Sequence, residues 1–420
     1  MKVGFLGLGK LGLPVALAIE SKGHYVCGTD ISETTIKNIK SKKINYKEIW
    51  VDEYLKNTKL DVLNISELVK KSDIIFVPIQ TPHEEKYEGI TRIPKERADF
   101  NYQYLINGMK ELSDQVEKNG EDKIVIIIST VLPGTIRKEI KPFLSKKIKL
   151  CYNPFFIAMG STMRDFLHPE FVLFGVDDLE AYKVCKEFYR SVTNAPLYDT
   201  TIENAELIKV SYNTLISTKI AFANTIMELC HKLPNTNVDD VTNALKLANR
   251  RLISGYYMDG GMGDGGGCHP RDNIAMSYLS DRLNISHNWF EHIMKQRESQ
   301  TDWLADLIVE NSNGLKINIL GKSFKAESNL MLGSPAILLH NILKERNINS
   351  NIWDPIIDGD FSSYSSKYKW SSEPQLFFIA TKHEEFNNFP FYPGSTLIDP
   401  WRYISTNKDI KLIRVGDNKK

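Results

Sequence analysis

The sequence predicts an α/β protein in which two domains of one βαβ plan flank a helical centre. Three observations carry this. Short apolar runs alternate with helical patterns over about the first 200 residues, a long helical pattern follows from Glu203, and a second strand–turn–helix run opens at Lys316. Such alternation implies mostly parallel sheets covered by helices.

Taken in order, residues 2–6 (KVGFL) form a strand, 11–22 a helix and 25–29 a second strand. Further strands are expected at 73–78, 123–129, 147–152 and 171–175. The polar, charge-rich stretch between Thr81 and Asn101 reads as a loop insertion. From Glu203 to about Leu233 the chain shows helical periodicity with no strand signal, enough for a helix of about 45 Å. Helical character continues to about Leu252, the glycine cluster DGGMGDGGGC follows at 259–268, and helix resumes over 273–311. The last third adds a strand at 316–320, a helix near 335–345, a strand ending at Asp354, and strands at 376–380 and 396–398. The tail 416–420 is polar and expected to be loose.

Composition excludes several classes. Lys+Arg number 53 against Asp+Glu 52, a net charge of +1, which argues against a partner bound through nucleic-acid phosphates. No apolar run approaches the roughly 20 residues that cross a bilayer, so no membrane partner is expected. The N-terminus has no signal-peptide pattern. Five scattered cysteines without a CxxC pair suggest neither a disulfide framework nor a structural metal, so no metal is expected and a reducing cytoplasm fits best.

Gly7, Gly9 and Gly12 stand in G-x-G-x-x-G spacing between the first strand and helix. Gly7 permits the tight turn, Gly9 lets backbone approach a pyrophosphate, and Gly12 allows close helix–strand packing, with free N–H groups at the helix start. Lys10 and Leu11 lie inside this turn and count with the cofactor site. Asp30, at the end of the second strand, suits a ribose 2′-hydroxyl and would repel a 2′-phosphate. The cofactor expected is therefore NAD.

Cys268, in GGGCHPRD, differs in setting from the other four cysteines. The flanking glycines, Gly265 to Gly267, would let backbone pass close to a ligand, and Arg271 and His269 are nearby groups able to favour a thiolate. A nicotinamide site with a reactive cysteine suggests oxidation of an alcohol to an aldehyde, capture as a thiohemiacetal, oxidation to a thioester, and hydrolysis to a carboxylate. Lys209 and Asn213 stand four apart on one helix face, where an ammonium and an amide would stabilise an oxyanion.

With GLGKLGLP, ISTVLPGT, AELIKVSYNTLISTKIAFANTI, GDGGGCHPRD and GKSFKAESNLMLGSPA in this order, the chain resembles the UDP-glucose/GDP-mannose dehydrogenase family over essentially its full length. The resemblance implies two Rossmann-like domains joined by a long central helix, with a helical middle domain and a homodimer. It places an NAD domain at 1–202, a helical dimerisation domain with the cysteine loop at 203–312, and a nucleotide-sugar domain at 313–420. The implied reaction oxidises the C6 hydroxyl of a nucleotide sugar, by default UDP-glucose, to the uronic acid. Thr81 and Thr130 would border the nicotinamide, Thr130 also the reacting carbon. Cys268 would be the nucleophile and Asp272 would position a water or the alkoxide. Lys209, Asn213, Arg251, Tyr257, Gly265, Gly266 and Lys325 would contact the sugar nucleotide.

The chain also departs from the family pattern. Asn153 to Ile157 read NPFFI, placing Phe155 where the resemblance expects a glutamate that releases the thioester, and a phenylalanine moves no proton. Arg271 and Leu332 replace a usual lysine and arginine. Three readings follow: Thr130, Asp272 or His269 activates the water; the reaction stops at the aldehyde or takes an unusual sugar; or the chain binds nucleotide sugar without turnover. A simple two-electron β-hydroxyacid dehydrogenase is the remaining enzyme class, and it needs neither the cysteine loop nor the second α/β domain.

Overall fold

The computed structural model describes residues 1–252, 254–263, 266–359, 361–405 and 409–418. They form two compact units, one of residues 1–82 and 100–211, the other of 83–99 and 212–420.

The first unit is built on eight strands: β1 (Lys2–Leu6), β2 (Tyr25–Thr29), β3 (Asp61–Val62), β4 (Ile74–Val77), β5 (Lys123–Ile127), β6 (Ile148–Tyr152), β7 (Val172–Val176) and β8 (Leu197–Thr200). Their order is β3-β2-β1-β4-β5-β6-β7-β8, parallel throughout except for the β6–β7 pair. All four β4 residues are buried because helices cover both faces: Ile74 and Phe76 join one apolar cluster, Ile75 and Val77 the other. Between β1 and β4 the order of connection reverses, the kind of switch point beside which α/β sheets bind ligands.

The second unit carries β9 (Ile317–Leu320), β10 (Ser350–Trp353), β11 (Leu376–Ile379), β12 (Thr396–Asp399) and β13 (Lys411–Arg414), all parallel in the order β10-β9-β11-β12-β13. Its reversal falls between β9 and β11. Trp370 is fully buried at the centre of the aromatic cluster on one face and donates its indole N–H to Asn318 Oδ1 at 2.8 Å. The expected α/β plan is therefore present twice.

Local departures have physical causes. The stretch read as a loop insertion belongs, over 83–99, to the second unit. Tyr87 and Ile93 are buried with Ile274, Ile293 and Met294. Arg97 pairs with Glu291, Arg92 with Asp302 and Glu345, and the Ile93 amide donates to Glu298. Charges of the stretch read as a loop insertion are the ones that dock it. Helix begins at Cys268 instead of near Asn273, because Gly266 turns the chain in the left-handed region at φ +99° and Pro270 is tolerated in a first helical turn. The tail is held as far as Asn418: the Val238 amide donates to Gly416 O and the Asn418 amide to Thr236 O.

The long helix, Ile202–Lys232, passes from the first unit to the second after Ser211. Near its start Glu206, fully buried, accepts from the Gly134 and Ile136 amides at 2.6 and 2.9 Å and so ties down the loop after β5. Burial pushes the Glu206 carboxyl up to about 7, against the pull of those amides. Between the ordinary value of 4.5 and about 7 the folded chain holds a proton that the unfolded chain lacks, so this group makes stability fall as pH rises through that window and level off above it. In thermal and urea melts, Glu206→Gln is expected to remove a pH-dependent loss on the order of 3 kcal/mol. Parallel pH–stability curves for parent and variant would rule this out.

Candidate functional site

The expected residues divide between the two units. In the first, the glycine turn follows β1. Gly7 has φ +122°, a conformation open to glycine, and donates its amide to Thr29 O at 2.9 Å. A Cβ on Gly12 would lie 2.2 Å from Gly7 O, so only glycine lets the helix Gly12–Glu20 start this close. A Cβ on Gly9 would meet nothing within 4 Å, so this backbone faces open space. Lys10 is exposed, Leu11 packs on the apolar core, and no side chain caps the helix start. Asp30 accepts from the Leu8 and Ser32 amides, each at 2.8 Å, which fixes its carboxylate beside the turn while oxygen lone pairs remain. Open backbone, an uncapped helix start and a fixed carboxylate are together what a dinucleotide needs, and NAD fits them.

Thr81, after β4, is buried and donates its hydroxyl to Thr130 O at 2.6 Å. That bond holds the loops leaving β4 and β5 together. Lys209 is buried and donates from Nζ to Phe155 O at 2.8 Å, with Nζ 5.1 Å from the centre of the Phe156 ring. The Phe155 ring turns into the apolar core, 5.3 Å from Phe166 and 6.4 Å from Phe76 between ring centres. The backbone of this position therefore meets Lys209, while its side chain serves packing.

In the second unit Cys268 is the exposed cysteine and opens the helix Cys268–Arg282; the other four are buried. Asp272 lies one helical turn further on, fully buried, and accepts from Asn213 Nδ2 at 2.6 Å. Its other oxygen, Oδ1, is buried without a hydrogen-bond partner and lies 3.5 Å from Arg271 Nε. Burial would depress the Arg271 guanidinium, but the adjacent Cys268 and Asp272 outweigh it and raise it above its ordinary value. His269 is engaged through Nδ1 with Asn213 O at 3.2 Å and Ser217 Oγ at 3.3 Å.

Two of the glycines before Cys268 are packed closely against a neighbouring loop. A Cβ on Gly266 would lie 2.5 Å from the Phe324 ring, and one on Gly267 would lie 2.9 Å from Leu332. These glycines let the cysteine segment press against the loop 321–334, where Lys325 is half-buried with Nζ 5.7 Å from the Phe324 ring. Gly265 lies outside the described residues. Arg251 and Tyr257 are exposed, Tyr257 at φ +62°.

Three positioning residues escaped the sequence reading. Ser217 accepts from Asn273 Nδ2 at 2.9 Å. Asn224 donates to Gly263 O and accepts from the Gly261 amide, both at 3.0 Å, anchoring the glycine segment. Glu206 is the third. The signal was available: Glu206, Lys209, Asn213, Ser217 and Asn224 recur at spacings of 3, 4, 4 and 7, a polar line on one face of the long helix, and all five are buried.

Comparison with known proteins bears on the family and the fold. Residues 1–193 match the NAD binding domain, and residues 203–298 the central domain, of the UDP-glucose/GDP-mannose dehydrogenase family. A UDP-glucose 6-dehydrogenase of Rickettsia conorii is 29% identical over 367 residues, spanning 85% of this chain and 81% of the relative. A GDP-mannose 6-dehydrogenase of Pseudomonas aeruginosa is 27% identical over 367 residues, spanning 84% and 81%. The fold matches that of a UDP-glucose dehydrogenase from the hyperthermophilic archaeon Pyrobaculum islandicum with a TM-score of 0.84 at 22% identity, over 99% of this chain and 97% of the other.

The packing of Phe155 gives a direct test. Phe155→Glu would place a carboxylate among Phe76 and Phe166, so urea unfolding at pH 7 should show a loss of about 3 kcal/mol or more. Such a carboxyl has a raised folded-state pKa, so part of the loss should return towards pH 5. Unchanged stability at pH 7 would mean the side chain is free to leave the core.

Proposed function

Because the chain belongs to the UDP-glucose/GDP-mannose dehydrogenase family, NAD-dependent oxidoreductases that convert nucleotide sugars to uronic acids, we propose that it oxidises C6 of UDP-glucose through a covalent adduct on Cys268. The observation that carries this reading is the pairing of an exposed thiol at a helix start with a buried Asp272 one turn on, bonded to Asn213.

Gly7, Gly9, Lys10, Leu11, Gly12 and Asp30 would hold NAD, with Thr81 and Thr130 fixing the loops beside the nicotinamide. When bound, NAD accepts the hydride in each of the two oxidations. The C6 alcohol loses its proton and hydride to give the aldehyde. The Cys268 thiolate adds to the aldehyde carbon, loss of a second hydride turns the adduct into a thioester, and water cleaves the thioester to release the acid and regenerate the thiolate. Lys209 and Asn213 are assigned to the oxyanion that develops at C6. Lys325, Arg251, Tyr257, Gly265 and Gly266 are assigned to the nucleotide sugar.

Activation of the hydrolytic water falls to Asp272. Phe155 has no titratable group, His269 Nδ1 is held by Asn213 and Ser217, and Asp272 Oδ1 is a buried acceptor without a hydrogen-bond partner. Phe155 also favours a second reading, release at the aldehyde stage. The ratio of NADH formed to sugar consumed separates them: two for the acid, one for the aldehyde.

Residues 1–202, 203–312 and 313–420 are proposed as the cofactor, helical and sugar-nucleotide domains. A homodimer through the long helix is supported by Leu215, Phe222 and Leu229, exposed at seven-residue spacing, with Leu233 one turn further. The five free cysteines suit the cytoplasm.

Cys268→Ala is expected to lower acid formation by about 10³-fold or more while NAD binding persists. Acid formation at the parent rate would exclude the covalent route. For the dimer, Phe222→Asp with Leu229→Asp should yield a monomer in light scattering; a parent protein already monomeric would exclude the interface.

A further inference from the structure

We infer that Glu206 is a positioning residue for the nicotinamide half of NAD: from the long helix it sets the loop after β5, and that loop walls the nicotinamide side of the cofactor site. Glu206 acts here through Thr130, on the reading that Thr81 and Thr130 border the nicotinamide. The sequence assigns it no part in cofactor binding.

In a doubly wound sheet a dinucleotide lies across the point where the strand order reverses, one nucleotide on each side. Asp30, after β2, suits the adenosine ribose, so the nicotinamide nucleotide falls beside the loops that leave β4 and β5. Those two loops are tied to each other. Ser129 donates its hydroxyl to Ile79 O, and Thr81 donates to Thr130 O at 2.6 Å. These bonds hold the near end of the β5 loop.

The far end depends on the long helix. Gly134 takes a left-handed backbone, φ +87°, although a Cβ there would meet nothing within 4 Å, so glycine serves the turn and not the packing. Its amide and that of Ile136 donate to the two oxygens of Glu206, at 2.6 and 2.9 Å. Ile136–Ile140 is a π-helical turn, a rare form found most often at functional sites. Its first amide is the one that Ile136 gives to Glu206, so a carboxylate from the long helix caps it. Tyr102 supplies a second hold, its hydroxyl accepting from the Leu132 amide at 3.2 Å and from the Thr135 hydroxyl at 3.3 Å.

Glu206 is fully buried, and a carboxylate so desolvated adds little net stability; what it fixes here is geometry. Lys209, one helical turn further on, donates to Phe155 O in the loop after β6. One turn of helix therefore sets the β5 loop against the β6 loop, and Thr130 against Lys209.

The test compares two ligands on the full chain: NAD, and ADP-ribose, which lacks the nicotinamide. Calorimetry is run at pH 8, above the value of about 7 to which burial pushes Glu206. Glu206→Gln keeps the shape but offers one acceptor oxygen to two amides, so the loop leaves its arrangement more often and only the fraction in place holds the nicotinamide. NAD binding should weaken about tenfold or more, with ADP-ribose within about twofold of the parent. Gly134→Ala, strained at φ +87° with room for its Cβ, disturbs the same contact from the loop side and should give the same split if Glu206→Gln does not fold. Thr130→Phe checks the wall itself and should weaken NAD alone. A split with Thr130→Phe but none with Glu206→Gln overturns the role of Glu206, as does equal weakening of both ligands by Glu206→Gln. A split with neither variant overturns the placement of the nicotinamide as well.

Discussion

A buried polar line on a single helix is the constraint on which the rest of the candidate site depends. Glu206, Lys209, Asn213, Ser217 and Asn224 occupy one face of the helix Ile202–Lys232 where an apolar stripe would ordinarily lie. Each buried polar group must find a partner or cost free energy. Glu206 takes the amides after β5, Lys209 the Phe155 carbonyl, Asn213 the Asp272 carboxylate, Ser217 the cysteine helix, and Asn224 the glycine segment. These obligations decide where the loops of each unit stand.

Glycine plays two different parts in this molecule. At Gly7 it permits the left-handed turn, and at Gly9 it leaves backbone facing open space, the requirement of a bound pyrophosphate. At Gly266, Gly267 and Gly333 it removes side chains where two backbone segments press together; a Cβ on Gly333 would lie 2.5 Å from the Gly267 Cα. The same residue type in a dense cluster thus serves packing, and it leaves Cys268 exposed at the start of a helix whose later residues, Asp272 and Asn273, are buried. Near-neutral net charge is compatible with anionic ligands for a related reason. Helix starts, backbone amides and a few fixed cations supply local positive potential without a basic surface.

Much of the fold was legible because its signals are local. Strand length, the period of the long helix and the spacing of Gly7, Gly9, Gly12 and Asp30 arise within short windows, and the structure repeats them nearly to the residue. The segment 83–99 was not legible. It read as a loop insertion, and only the positions of Glu291, Asp302 and Glu345, some two hundred residues later, turn its charges into docking contacts. The tail was misread likewise, since Thr236 and Val238 hold it by backbone bonds that leave no pattern in its composition.

By itself the sequence determined the α/β class, the dinucleotide turn and the family, and it singled out Cys268 as the candidate nucleophile, because each rests on residue types at fixed spacing. Tertiary structure alone decided where side chains point. It turned Phe155 into the core while leaving its carbonyl to Lys209, committed His269 to the long helix, and buried Asp272 against Asn213 and Arg271. The physical reason is that orientation and burial are set by contacts between segments distant in the chain, and residue spacing along one segment carries no record of them.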